Sequence, residues 1–220
     1  LSYIATVAAA VLLNPTLDLR DLIICAMITV WALRLGSFLF WRIKKDGQDK
    51  RFIVMKTKFT WFLMTWTIGG LWVLVTMAAG LAALTSSISA ELGVLSYLGV
   101  ALWLFGFVVE VTADNQKTGF RENPDNRDRF ITTGVWSWSQ HPNYFGEITL
   151  WFGMALVALP VLSGWQLATL ISPIFVYFLL TKVSGIPLLD RLAKQKWGSD
   201  SDYLRYTRET SKLLLWPPKT

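Results

Sequence analysis

Apolar residues gather in six long runs, Leu1–Leu13, Leu22–Phe40, Phe59–Leu84, Leu92–Val109, Ile148–Leu162 and Leu167–Leu180, separated by short turns or charged segments. A helix needs about 20 apolar residues to cross the hydrocarbon layer, or fewer where the bilayer thins around it. The pattern therefore predicts an all-α, polytopic integral membrane helical bundle with six spans visible. No period-two alternation points to a strand. Leu1–Leu13 is short and has neither an initiator Met nor a basic n-region. It reads as the end of a span that starts before residue 1, in an N-terminally trimmed chain, rather than as a signal peptide. Residues 1–220 read as a single transmembrane domain, with 181–220 as its C-terminal tail.

Charge adds an orientation to this pattern. Of the 220 residues 53% are hydrophobic and 16% charged, against about 25% charged in a soluble domain. Nineteen of the 21 Lys and Arg residues lie in Arg42–Lys58, Asp114–Gln140 and the tail from Thr181, and Thr85–Glu91 and Pro160–Gly164 hold none. The positive-inside rule then puts both chain ends and the two long connections in the cytoplasm, across the inner membrane if the cell is bacterial. Topology accounts for the net charge of +6, which removes the case for nucleic acid as a partner. The single Cys25 and single His141 give no soft-ligand set for a metal and no internal disulfide. The remaining partners are membrane lipids and a small molecule.

Charged side chains inside a span are costly and usually line a cavity. Arg34, Glu110 and Glu147 are the candidates here. Arg34 precedes Arg42 by eight residues, about 12 Å of helix. All three predict a polar pocket in the cytoplasmic half of the bundle. Glu110, Asp114, Lys117 and Arg121 are spaced four, three and four apart, so they share a face if the fourth span continues beyond the membrane. Arg34, Trp41 and Lys45 share a face of the second span in the same way. Two cationic stripes suit a phosphate-bearing ligand, although a mixed stripe is more often a solvated salt-bridge ladder. In Ile131–Trp151, Pro142 is placed as the first residue of the next helix, whose free N–H groups can receive an anion or a carboxamide. Asn143 and Glu147, four apart, share a face. His141 is equally readable as a cap or packing residue, and Trp136 and Trp138 as interface aromatics. With no Gly-x-Gly-x-x-Gly run and no strands, a nucleotide has to sit among helices.

The Trp136-x-x-x-x-His141-Pro-Asn-Tyr-Phe-Gly-Glu147 core resembles the steroid 5α-reductase family in the broad sense, including its bacterial membrane branch. Sterol double-bond reductases and isoprenylcysteine carboxyl methyltransferases share parts of it. Arg34-Leu-Gly, Asp114 with Lys117 and Arg121, Ile186-Pro-Leu-Leu-Asp190, Trp197-Gly, Tyr206 and Trp216-Pro-Pro extend the resemblance from about residue 31 onward. It implies a membrane fold, commonly of seven spans, with NADPH bound from the cytoplasm among the last helices. By position, Asn143 and Glu147 would meet the nicotinamide carboxamide, and Asp114, Lys117 and Arg121 the ribose and phosphates. His141 belongs to the same cofactor site, Lys182 and Asp190 would complete the adenosine side, and Arg34 would hold the cofactor near the substrate. The family tyrosine three residues before the membrane arginine is Trp31 here, and its glutamate partner falls at or before the chain start.

The activity implied is reduction, by NADPH hydride, of a carbon–carbon double bond conjugated to a carbonyl in a lipid-like enone such as a 3-oxo-Δ4 steroid. Glu147 and Tyr144 are the candidate catalytic residues, Tyr144 as a donor to the carbonyl oxygen. The alternatives are an S-adenosylmethionine-dependent carboxyl methyltransferase and a small transporter or lipid-binding protein.

Overall fold

The computed structural model describes residues 2–14, 16–46 and 58–218. Lys50, Arg51 and Lys56 of the basic segment, and Lys219 of the tail, lie outside them. Every regular element among the described residues is helical. The order is α1 (Ser2–Leu13), α2 (Leu19–Asp46), α3 (Phe59–Leu84), α4 (Val94–Glu122), α5 (Pro142–Ala158), α6 (Ile171–Phe178), α7 (Ile186–Trp197) and α8 (Ser201–Glu209), with short 3-10 turns between several of them. Among the described residues, five helical stretches are long and apolar enough to cross a membrane, and α1 is a shorter apolar helix. The predicted run Leu167–Leu180 is one span by composition but not one regular helix. It opens as a 3-10 turn over Gly164–Leu170, becomes α6, and ends in a π turn over Leu179–Val183 before the break at Ser184 and Gly185.

The chain divides into two compact units, Leu1–Leu98 with Met154–Ser172, and Gly99–Gly153 with Pro173–Thr220. In the first, Arg20 is 1% exposed. Its guanidinium donates to Ser96 Oγ and to the carbonyls of Val157, Ala90 and Glu91, at 2.8–2.9 Å. A buried cation is tolerable there because its terminal Nη1 and Nη2 groups meet aligned acceptors, one of them a carbonyl at the end of α5, where the helix dipole favours positive charge. Asn14 donates to Leu84 O and Ser86 to Val161 O, which fixes the nearby turns. Trp31 is buried and meets Tyr3 edge-on, with centroids 5.0 Å apart.

In the second unit α4 and α5 meet through glycines. A Cβ on Gly106 would lie 2.5 Å from Gly146 O, one on Gly146 2.5 Å from Gly106 O and 2.7 Å from Glu110 N, and one on Gly153 2.5 Å from Gly99 O. Such contacts leave no room for a side chain, so the two backbones touch. Small residues permit this approach between helices in lipid. The pairing runs antiparallel, and it carries Glu110 and Asp114 up to the first turns of α5.

Candidate functional site

Arg34 apart, the candidate site residues lie within the second unit. Helix α4 is unbroken to Glu122, so the stripe Glu110, Asp114, Lys117 and Arg121 does share one helix face. Glu110 and Asp114 are buried, Lys117 is half-buried and Arg121 exposed, so the stripe changes from acidic and enclosed to basic and open. Pro142 opens α5, where its missing N–H costs nothing. Asn143, in the first turn, donates through Nδ2 to Asp114 Oδ1 at 3.3 Å. Its Oδ1 is buried and has no hydrogen-bond partner among the described residues. Glu147 follows one turn later, half-buried.

The loop before α5 is fixed by Gly134, which has φ +63° and whose added Cβ would strike the Gln116 side chain. Gln116 Oε1 accepts from the neighbouring Val135 N–H at 3.0 Å. Trp136 is not an interface aromatic: it is 4% exposed, and its indole donates to Ala113 O at 3.0 Å. Its ring lies 4.5 Å from Lys117 Nζ, a cation–π distance. Trp138 is exposed.

His141 neither caps the helix with its side chain nor packs against aliphatic groups alone. The ring is buried, stacks on Tyr144 with centroids 5.7 Å apart, and turns Nε2 toward Asp190 Oδ1 at 3.5 Å. Burial lowers its pKa from 6.5 to about 4 against the opposing pull of Asp190, so the imidazole is neutral at physiological pH. Asp190 also pairs with Lys212. Gly185 lets the chain pass close to the Tyr144 ring, which a Cβ there would approach to 3.0 Å.

A cavity of about 280 Å³ gathers Lys117, Arg121, Trp136, His141 and Asp190. Arg129, Lys196 and the aromatic group Phe130, Trp197, Tyr203 and Tyr206 complete the wall. Tyr206 donates to Trp136 O at 2.7 Å, and burial raises its phenol pKa. The cavity mixes cations with flat rings, a lining suited to an anionic aromatic ligand. Asn143, Tyr144, Glu147 and Asp114 do not line it: the first three follow His141 in the opening turns of α5, where Tyr144 stacks on His141 and Asn143 holds Asp114. Lys182, exposed in the π turn, does not line it. Arg34 belongs to the first unit, half-buried on α2 with its guanidinium 5.3 Å from the Phe38 ring. Sequence reasoning missed Arg129, Gln140, Lys196 and Lys212. Their positions depend on contacts with distant chain segments, and only Gln140, beside His141 in the motif, carried a local signal.

Comparison with known proteins gives local and whole-chain matches. Seventy residues are 30% identical to the 3-oxo-5-alpha-steroid 4-dehydrogenase 1 of Bos taurus, covering 32% of this chain and 27% of that protein. The Mus musculus protein of the same name is 29% identical over 77 residues, 35% and 28% of the two chains. These alignments span under a third of the length of the curated relatives. No solved structure matches the chain. The similarity to steroid 5α-reductases agrees with the Trp136–Glu147 motif. The family described as "protein of unknown function (DUF1295)" matches residues 1–210, and the chain belongs to it.

Proposed function

We propose that this protein is a membrane reductase that uses NADPH to saturate the carbon–carbon double bond of a lipid-like enone, with a 3-oxo-Δ4 steroid as one substrate class. The observation that carries this reading is the buried Asn143 Oδ1 without a partner among the described residues, two positions along the chain from His141, which lines a cavity with Lys117, Arg121 and aromatic rings. Asp114 takes the Nδ2 of Asn143, which leaves the oxygen for a donor such as the carboxamide NH₂ of a nicotinamide. A buried acceptor left unpaired is costly, so a ligand that supplies the missing donor is favoured there. When bound, NADPH supplies the hydride that the β-carbon of an enone accepts.

The chain's own residues then have separable tasks. Glu147, one turn beyond Asn143, accepts from the same carboxamide and fixes the plane of the ring. Lys117 and Arg121 offer phosphate groups a point charge and a fork along α4. Asp190, with His141 kept neutral beside it, bounds the adenosine side, with Lys182 as a further cationic contact. Tyr144 donates to the substrate carbonyl oxygen as negative charge builds there, a role that matters most in a site without water. An apolar substrate enters from the lipid, and the charged cofactor from the cytoplasm.

Thermal melting in detergent with NADPH, NADH or S-adenosylmethionine tests this reading. A ligand at 100 times its dissociation constant adds about 2.7 kcal/mol. NADPH is expected to stabilise most; stabilisation by S-adenosylmethionine alone contradicts the reading.

A further inference from the structure

After α8 the chain does not leave the molecule. It turns back as a non-helical strap, bent over 212–214, along the loop that precedes α5. Gln140 N donates to Ser211 O at 2.8 Å, and Gln140 Nε2 to both Thr207 O and Thr210 O at 2.9 and 2.7 Å. Ser139 Oγ donates to Leu213 O at 2.8 Å, and Trp216 N to Trp138 O at 3.2 Å. Lys212 reaches across to Asp190, the carboxylate that faces His141.

The strap is held by these polar pins more than by burial, because Lys212, Leu214, Trp216, Pro217 and Pro218 are all exposed. Segments of this kind open at lower free energy than the packed helices do. Gln140 carries three of the pins. It also lines, together with Asp190, Tyr203 and Thr207, both the 280 Å³ cavity and a second one of about 610 Å³ that Thr210 and Lys212 help to line. The clamp therefore stands in the wall between the two spaces.

We propose that Gln140 is a positioning residue that clamps the 210–216 strap shut beside the His141–Asp190 pair, and that release of the strap opens the cavity. The gate is a property of the chain by itself; that NADPH favours its closed state rests on the proposed function. His141 is the only histidine, so its carbethoxylation by diethyl pyrocarbonate, followed by mass spectrometry on the full chain in detergent, reports opening at one position.

Gln140→Ala removes both Nε2 pins and keeps the backbone one, so it is expected to speed this modification at least about tenfold, a factor that the loss of one such hydrogen bond already reaches. Amide exchange should rise in 210–216 and stay unchanged in α4 and α5, a separation that general destabilisation would not produce. Lys212→Ala, at an exposed position, is expected to act in the same direction and serves if Gln140→Ala does not fold. NADPH should slow the modification of the unaltered protein. Acceleration by the variants without protection by NADPH keeps the gate and overturns the cofactor reading. An unchanged rate in both variants, or exchange rising equally throughout, overturns the gate.

Discussion

Gly146→Val is expected to collapse the second unit. Its first added carbon would lie 2.5 Å from Gly106 O and 2.7 Å from Glu110 N, and both obstacles are helix backbone that cannot rotate away. Overpacking of a core by side chains costs about 1–3 kcal/mol. Here the helices themselves must part, so the loss should reach or exceed the upper end of that range. Asp114 and Asn143, 3.3 Å apart across the same seam, should separate with them, and any ligand stabilisation should vanish. Melting in detergent checks the first effect and ligand titration the second. Gly36→Ala is the control, because nothing lies within 4 Å of its added Cβ and alanine favours a helix by about 0.5–1 kcal/mol. A Gly146→Val protein that melts like the original would mean that the seam is not tightly packed.

Glu147→Gln is expected to remove turnover and keep the fold. The two side chains have nearly the same shape, so packing in the half-buried position on α5 changes little. The chemistry changes more: an acceptor-only group becomes one that also presents an NH₂. Facing a carboxamide NH₂, that donor repels where the carboxylate attracts. The nicotinamide ring then loses its orientation, and a misplacement of about 1 Å can cost on the order of 10²-fold in rate. The expected result is a fall in kcat of that size, with melting temperature preserved and NADPH affinity reduced much less. An unaltered kcat would return Glu147 to a packing role.

Much of this architecture was legible in the chain because membranes demand long apolar runs. Pro142 announced the start of α5, and the four-three-four spacing from Glu110 to Arg121 proved to lie on one continuous helix. The final span was not legible as built. Pro173, Gly164 and Gly185 punctuate it, but an apolar run does not say whether its turns are 3-10, α or π. The seam did have a signal: Gly99 and Gly106, like Gly146 and Gly153, are seven apart in two adjacent spans. What spacing cannot tell is that the two pairs meet. The strap left even less trace, since its pins are mostly backbone carbonyls of residues about 70 positions from Ser139 and Gln140, and a backbone acceptor has no side-chain signature. Trp136 shows the same limit in one residue: its position suited an interface aromatic, yet its indole is spent on Ala113 O.

A reductase of the proposed kind moves a hydride from NADPH to an apolar enone. The purified full chain in detergent, given NADPH with deuterium at both C4 positions and a panel of enones including a 3-oxo-Δ4 steroid, should yield a saturated ketone with one deuterium at the β-carbon. Glu147→Gln should yield almost none. Recovery of every enone unchanged by a folded protein that NADPH stabilises, or saturated product without deuterium, would contradict the account.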